Sequence, residues 1–258
     1  VSELLRLSGV SKRYARGRRD VRALTQIDLD LQTGEFACVL GTRRAGKSTL
    51  LRIAAGMESP DSGQVRFDGI DLVGLSDARL SRLLGAQIAW AGKSGPGMPM
   101  QMLDYVAMPL LAAKRTRGLR GLRAARRDAY ARARAALERV GAAACAEQRW
   151  ESISDWERAL AELAQAIAAG PRLLLIDDLT DTLGIRETDE LTALVRKLSR
   201  EMRLAVLMSV SDAPACLWAD RVLSLAGGKL TEGPRERGGN VIEFPDPGSI
   251  ARAERGGS

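Results

Sequence analysis

Residues Gly41, Thr42, Arg43, Arg44, Ala45, Gly46, Lys47, Ser48 and Thr49 fit the spacing G-x-x-x-x-G-K-[ST]. Glycines at those places let a loop turn tightly enough for its backbone amides to converge, and a helix starting there adds the positive end of its dipole. Such a loop cradles the β-phosphate of a nucleotide. The Lys47 ammonium would reach the β- and γ-phosphates, and the Ser48 hydroxyl would offer an oxygen to magnesium. One feature is unusual: Arg43, Arg44 and Ala45 stand where small flexible residues are expected, and the two guanidinium groups either add phosphate contacts or face a partner.

A phosphate loop works only between a strand and a helix, and both are legible. Residues 36–40 are a continuous apolar run, as are 173–176 and 204–208, and all three predict buried parallel strands. Helical spacing at 48–55, 158–169 and 188–200 alternates with them, which predicts an α/β fold of the P-loop NTPase kind. Short alternating segments at 23–31 and 64–67 predict an added antiparallel β layer. Between these parts, 98–150 turns alanine- and arginine-rich and is expected to be wholly helical. The predicted organisation is a nucleotide-binding core from 1–88 and 157–232, an inserted helical subdomain at 89–156, and a loosely ordered tail at 233–258, where glycine, proline and charge dominate. No internal repeat is present.

Composition narrows the chemistry. The 258 residues suffice for a core without staples, and Cys38, Cys145 and Cys216 have no metal-ligand spacing and suit a reducing compartment. No apolar run is long enough to span a bilayer and the first residues lack a signal-peptide core, so a cytosolic chain is expected. The net charge of +7 favours anionic company. Histidine is absent altogether, which removes histidine metal sites and the commonest general base. The basic stretch at 115–139 is readable as a nucleic-acid or anionic-lipid surface. It is equally readable as a solvated helix face behind an apolar stripe of Leu119, Leu122, Leu137 and Val140, with Tyr130 the only aromatic ring for base stacking.

Read in order, the landmarks resemble the ATPase subunits of ABC transporters over nearly the whole chain. They are VSKRY around Tyr14, ALTQIDLDLQTGEFACVLGTRRAGKSTLLRIAAGMESPDSGQV, LLLIDDLTDTLG and ADRVLSLAGGKL. DYVAMPLL, after the segment around Lys93, is similar to the branch with lipoprotein-release, macrolide-export and cell-division ATPases. The resemblance implies ATP and magnesium as ligands, Tyr14 stacking on adenine, and Asp177 holding magnesium through water. It implies integral membrane permease subunits and a second ATP-binding subunit as partners, no nucleic acid, and a cytoplasmic place, peripheral on the inner face of the plasma membrane.

The departures from the family cluster on the reaction centre. Asp178 replaces the catalytic glutamate, Ser211 the switch histidine, and Lys93 the glutamine that senses magnesium. The signature segment reads Ile153, Ser154, Asp155, Trp156 and Glu157, in which only the serine survives, and in the loop after Asp177 and Asp178 Gly184 replaces an aspartate. Asp155 and Trp156 are expected to oppose closure on a partner's nucleotide through charge and bulk. These changes predict an ATP binder with weak or lost hydrolysis. A fully active export motor and a soluble nucleic-acid-associated ATPase are the alternatives.

Overall fold

The computed structural model describes residues 2–16, 19–93, 95–112 and 118–232, so the segment 233–258 lies outside the described residues. Alternation of apolar and polar residues builds the first sheet. Strand β1 (Glu3–Arg16) pairs antiparallel with β2 (Arg19–Gln32), and the register sets Leu5 against Leu31 and Leu7 against Leu29. After β3 (Phe36–Leu40), strand β4 (Ser62–Phe67) brings Phe67 to Leu5 and Val65 to Leu7 on the same buried face, and β5 (Ile70–Asp71) ends the sheet. The order is β2-β1-β4-β5, the antiparallel layer that the short alternating segments predict.

The second sheet is built from continuous apolar runs. Strand β3 lies inside it, with β6 (Ile88–Gly92), β7 (Leu173–Asp177), β8 (Ala205–Val210), β9 (Arg221–Ala226) and β10 (Lys229–Glu232), in the order β10-β9-β3-β8-β7-β6. Strands β9, β3, β8, β7 and β6 run parallel and β10 is an antiparallel edge. Both faces are covered, which is why the runs do not alternate with polar residues. Ala37, Val39, Leu173, Leu175 and Leu207 point toward the antiparallel sheet and α1 (Lys47–Ala54). Cys38, Leu174, Ile176 and Met208 point the other way, to the helical side.

The remaining helices are α2 (Asp77–Ala86), α3 (Met102–Ala112), α4 (Gly118–Arg139), α5 (Asp155–Ile167) and α6 (Ile185–Met202). The stretch 98–150 is helical as expected over α3 and α4, but it also holds a 3-10 turn at Ala143–Cys145 and an antiparallel bridge from Gln101 to Arg149. The boundary drawn at 88/89 cuts through β6. Its sequence, Ile88-Ala89-Trp90-Ala91-Gly92, has too few β-branched residues to announce a strand, and pairing with β7 decides it.

Arg221 joins the two sheets. Its buried side chain lies on β9, donates to the Asp30 carbonyl of β2, and sits 3.2 Å from the Glu35 carboxylate and 3.5 Å from that of Glu232. Burial raises the pKa of Glu35, and Arg221 offsets part of that shift. Arg221→Ala would strand Glu35 beside an empty guanidinium site. The expected loss is about 3 kcal/mol of unfolding free energy, read from urea melts at neutral pH.

Candidate functional site

The loop from β3 to α1 is held by contacts that only glycine permits. Gly46 has φ of +106°, and a Cβ there would lie 2.4 Å from the Ala23 carbonyl oxygen. A Cβ on Gly41 would lie 2.6 Å from the carbonyl oxygen of Leu225. Gly46 also stands at the start of α1, where no side chain caps the helix, so its first amides remain available to an anion. Arg44 takes a left-handed conformation with φ of 66°, which turns the loop at a non-glycine position.

Lys47 is the first residue of α1 and only 4% exposed. Its ammonium donates to the carbonyls of Gly41 at 2.9 Å and Thr42 at 3.3 Å and to the Ser211 hydroxyl at 3.2 Å, and it lies 3.7 Å from the Asp178 carboxylate. Beside it, the Ser48 hydroxyl donates to Asp177 at 3.1 Å. Parallel pairing explains this convergence. Leu40 registers with Val210 and Asp177 with Ser209, so the residues just beyond β3, β7 and β8 emerge at one edge of the sheet.

Asp178 follows β7 with φ of 47°. The buried Ser209 hydroxyl lies 2.8 Å from an Asp177 oxygen and 3.2 Å from an Asp178 oxygen, and it accepts from the Asp178 amide at 3.0 Å. Burial raises the pKa of Asp178; Lys47 opposes the shift, and Asp177 and Asp181 reinforce it. Asp181 draws two cations, Arg43 at 3.6 Å and Lys93 at 3.9 Å. Arg43 is thus paired within its own chain while remaining 85% exposed. Lys93, Asp177 and Asp178 line an open cleft of about 620 Å³ together with Trp90 and Gln165. A hydroxyl and a carboxylate 3.1 Å apart at the helix start form an oxygen donor set that fits a hard divalent cation, with Lys93 as a competing positive charge.

Tyr14 reaches the same end of the molecule from β1. Its hydroxyl donates to Glu58 and lies 3.3 Å from the Thr49 hydroxyl, and the Lys12 ammonium sits 5.6 Å from the ring centroid. The signature residues lie elsewhere. Ser154 caps α5 in a reciprocal box with Glu157, accepting from its amide at 3.2 Å while the Ser154 amide donates to the Glu157 carboxylate at 2.8 Å. Asp155 pairs with Arg158 at 3.0 Å, and Trp156 packs half-buried against the helical side of the core. Asp155 and Lys93 share a second cavity of about 260 Å³. Gly184 begins α6, its amide bonded to Glu187.

The structure thus unites Lys47, Ser48, Asp177, Asp178 and Ser211, sets Lys93 at the rim, and leaves Ser154, Trp156 and Glu157 apart, with Asp155 reaching the cavity it shares with Lys93. Ser209, Asp181 and Glu58 were not singled out from sequence. A hydroxyl on an otherwise apolar strand was the available signal for Ser209.

The phosphate loop, the edge of parallel strands and the flanking antiparallel sheet define an ATP-binding cassette. Residues 24–181 match the ABC transporter family, and the chain belongs to it. It is 32% identical over 235 residues to the lipoprotein-releasing system ATP-binding protein LolD of Anaeromyxobacter dehalogenans, covering 90% of this chain and 95% of that one. Against the macrolide export ATP-binding/permease protein MacB 1/2 of Paracoccus denitrificans identity is 32% over 246 residues, 95% of this chain but 35% of that one. Among solved structures, the dimeric bacterial ABC transporter cassette MJ0796 superposes with a TM-score of 0.79 at 24% identity, covering 92% of this chain and 100% of that one. A post-hydrolysis form of the same cassette bound to ADP and Pi gives 0.78 at 25%, with the same coverage.

Three outcomes test this geometry. Gly46→Ala should abolish nucleotide binding in a calorimeter, because its Cβ cannot coexist with the Ala23 carbonyl unless the loop moves. Ser154→Ala should lower stability by about 1 kcal/mol while leaving nucleotide affinity of the isolated chain unchanged. The Glu157 carboxyl is held below its usual range by the Cys145 thiol and then by the Ser154 amide and hydroxyl. A depressed carboxylate contributes stability above its unfolded pKa and loses it as pH falls through the folded value. The difference in melting temperature between wild type and Glu157→Gln should therefore be full at pH 7 and close in acid.

Proposed function

We propose that this chain is the nucleotide-binding subunit of a membrane transport complex, and that it holds ATP at the loop around Lys47 while hydrolysing it slowly or not at all. The observation that carries the reading is the buried Lys47 ammonium among loop carbonyls, at the start of an uncapped helix and beside the Ser48 and Asp177 pair. A triphosphate would replace the internal acceptors of Lys47, with Gly41 through Thr49 supplying amides and hydroxyls and Tyr14 bordering the base. Ser48 and Asp177 would hold magnesium, which when bound screens phosphate charge. The relatives are named as ATP-binding proteins of transport systems, and one of them as a fused permease. That supports integral membrane permease subunits and a second ATP-binding subunit as partners, with a place on the cytoplasmic face of the membrane. Among the described residues no helix is long and apolar enough to cross a membrane.

Weak hydrolysis follows from how the catalytic positions are spent. Asp178 is one methylene shorter than glutamate, and its oxygen is tied to Ser209 and drawn to Lys47. The Ser211 hydroxyl accepts from Lys47 and is too short to reach beyond it as an imidazole would. A displacement of about 1 Å at a reacting group costs roughly a hundredfold in rate, and removing a positioned base costs about 10² to 10⁴. At the signature, Ser154 spends its hydroxyl on its own helix and Asp155 presents a carboxylate.

Calorimetry and turnover measured on the same preparation, with its membrane partner present, test the reading. Wild type should bind ATP, Lys47→Ala should not, and turnover should fall at least about tenfold below the 1 s⁻¹ that begins the usual enzyme range. Asp178→Asn should then change turnover less than tenfold. Turnover in the ordinary range that vanishes in both Lys47→Ala and Asp178→Asn would instead establish an active motor.

A further inference from the structure

Helix α4 carries an apolar stripe that runs past the body it packs against. Ala129, Ala133, Ala136 and Val140 are buried, and the same face continues toward the helix start through Ala125 to Leu122 and Leu119. There it emerges into solvent, with Leu119 77% exposed and Leu122 58% exposed. Arg120, Arg123, Arg126 and Arg127 lie on the same turns of the helix, flanking the stripe, and are exposed. Among the described residues none of the four has a carboxylate within ion-pair distance. At the adjoining end of α3, Met108 and Leu111 are exposed as well. Pro109 and Ala112 of that helix line a groove of about 850 Å³ whose other wall, from α2, supplies Arg79, Arg82 and Leu83.

We propose that the head of α4 rests on an anionic lipid surface, with Leu119 and Leu122 at the acyl boundary and the arginines at headgroup phosphates. A helix start bearing leucines on one side and guanidinium groups around them has the two chemistries such a surface rewards, apolar depth and positive charge. Nucleic acid is the poorer fit, because base stacking needs a free aromatic ring. Tyr130 donates its hydroxyl to Asp104 at 2.5 Å, and its ring has the Arg126 guanidinium 5.6 Å from the centroid. The proposal concerns a face distinct from the Lys47 site and stands or falls independently of nucleotide binding.

Co-sedimentation of the full chain with vesicles of phosphatidylcholine, alone or mixed with phosphatidylglycerol, tests it. Wild type should partition onto the mixed vesicles and not the neutral ones. Arg120→Glu with Arg123→Glu should weaken partitioning by at least about tenfold, and Leu119→Ser with Leu122→Ser by about tenfold. ATP affinity should be unchanged in both. All four positions are exposed; should either pair melt early, the single changes Arg123→Glu and Leu122→Ser carry the comparison. Absence of wild-type binding to mixed vesicles, equal binding to neutral ones, or variants that bind like wild type overturns the proposal. So does tighter binding to polyuridylate than to vesicles at equal salt with the leucine variant unaffected, which would mark a nucleic-acid surface.

Discussion

Everything at the site depends on holding the Lys47 ammonium in place while it is almost completely buried. A cation withdrawn from water is tolerated only where acceptors and opposite charge replace its hydration. Here the replacements are two carbonyls of its own loop, the Ser211 hydroxyl and the Asp178 carboxylate. They come from three segments far apart in sequence. Parallel pairing of β3 with β8 and of β8 with β7 delivers them to one edge, so the register of the sheet is part of the site's chemistry. A slip of one residue in β8 would turn Ser209 and Ser211 away from the carboxylates and the ammonium.

Around that ammonium the charges nearly balance. Asp177, Asp178 and Asp181 face Lys47, Arg43 and Lys93. A triphosphate entering the cleft would compete with Asp178 for Lys47 and with Asp181 for the other two cations. The partly exposed pairs at 3.6 and 3.9 Å are the easier to give up, since screened contacts of that length contribute little. The Asp178 contact is harder to exchange. Its carboxylate sits in a partly buried place where burial already disfavours the charge, and Lys47 is the main group opposing that shift.

Much of this was legible in the residues. The apolar runs at 36–40, 173–176 and 204–208 became β3, β7 and β8 because continuous hydrophobicity marks a strand covered on both faces, and the phosphate-loop spacing carries its own geometry in two glycines. The edge strand β6 was not legible, since Ala89, Trp90, Ala91 and Gly92 have no periodicity of their own and acquire a structure only from β7. The partners of Asp181 and the bridging role of Ser209 were also out of reach, because both depend on which strand ends meet and not on local pattern. For the region 98–150, composition correctly indicated helix but could not show that Gln101 and Arg149 would pair as strand.

The starts of α5 and α1 use the same backbone resource in different ways. A helix beginning leaves backbone amides without partners, and these can be satisfied either by side chains or by an outside anion. At Ser154 the choice is already made: its hydroxyl accepts from the Glu157 amide, the Glu157 carboxylate accepts from the Ser154 amide, and Asp155 adds a second negative charge to the first turn. Two carboxylates at the positive end of the dipole stabilise α5, and they do so by occupying the field a phosphate would seek. The start of α1 is the opposite case, with glycine at its cap and no acidic residue in its first turn. The same physical resource, a helix N-terminus, is thus left without a side-chain cap where Lys47 sits and is capped by Ser154 and Glu157 at α5.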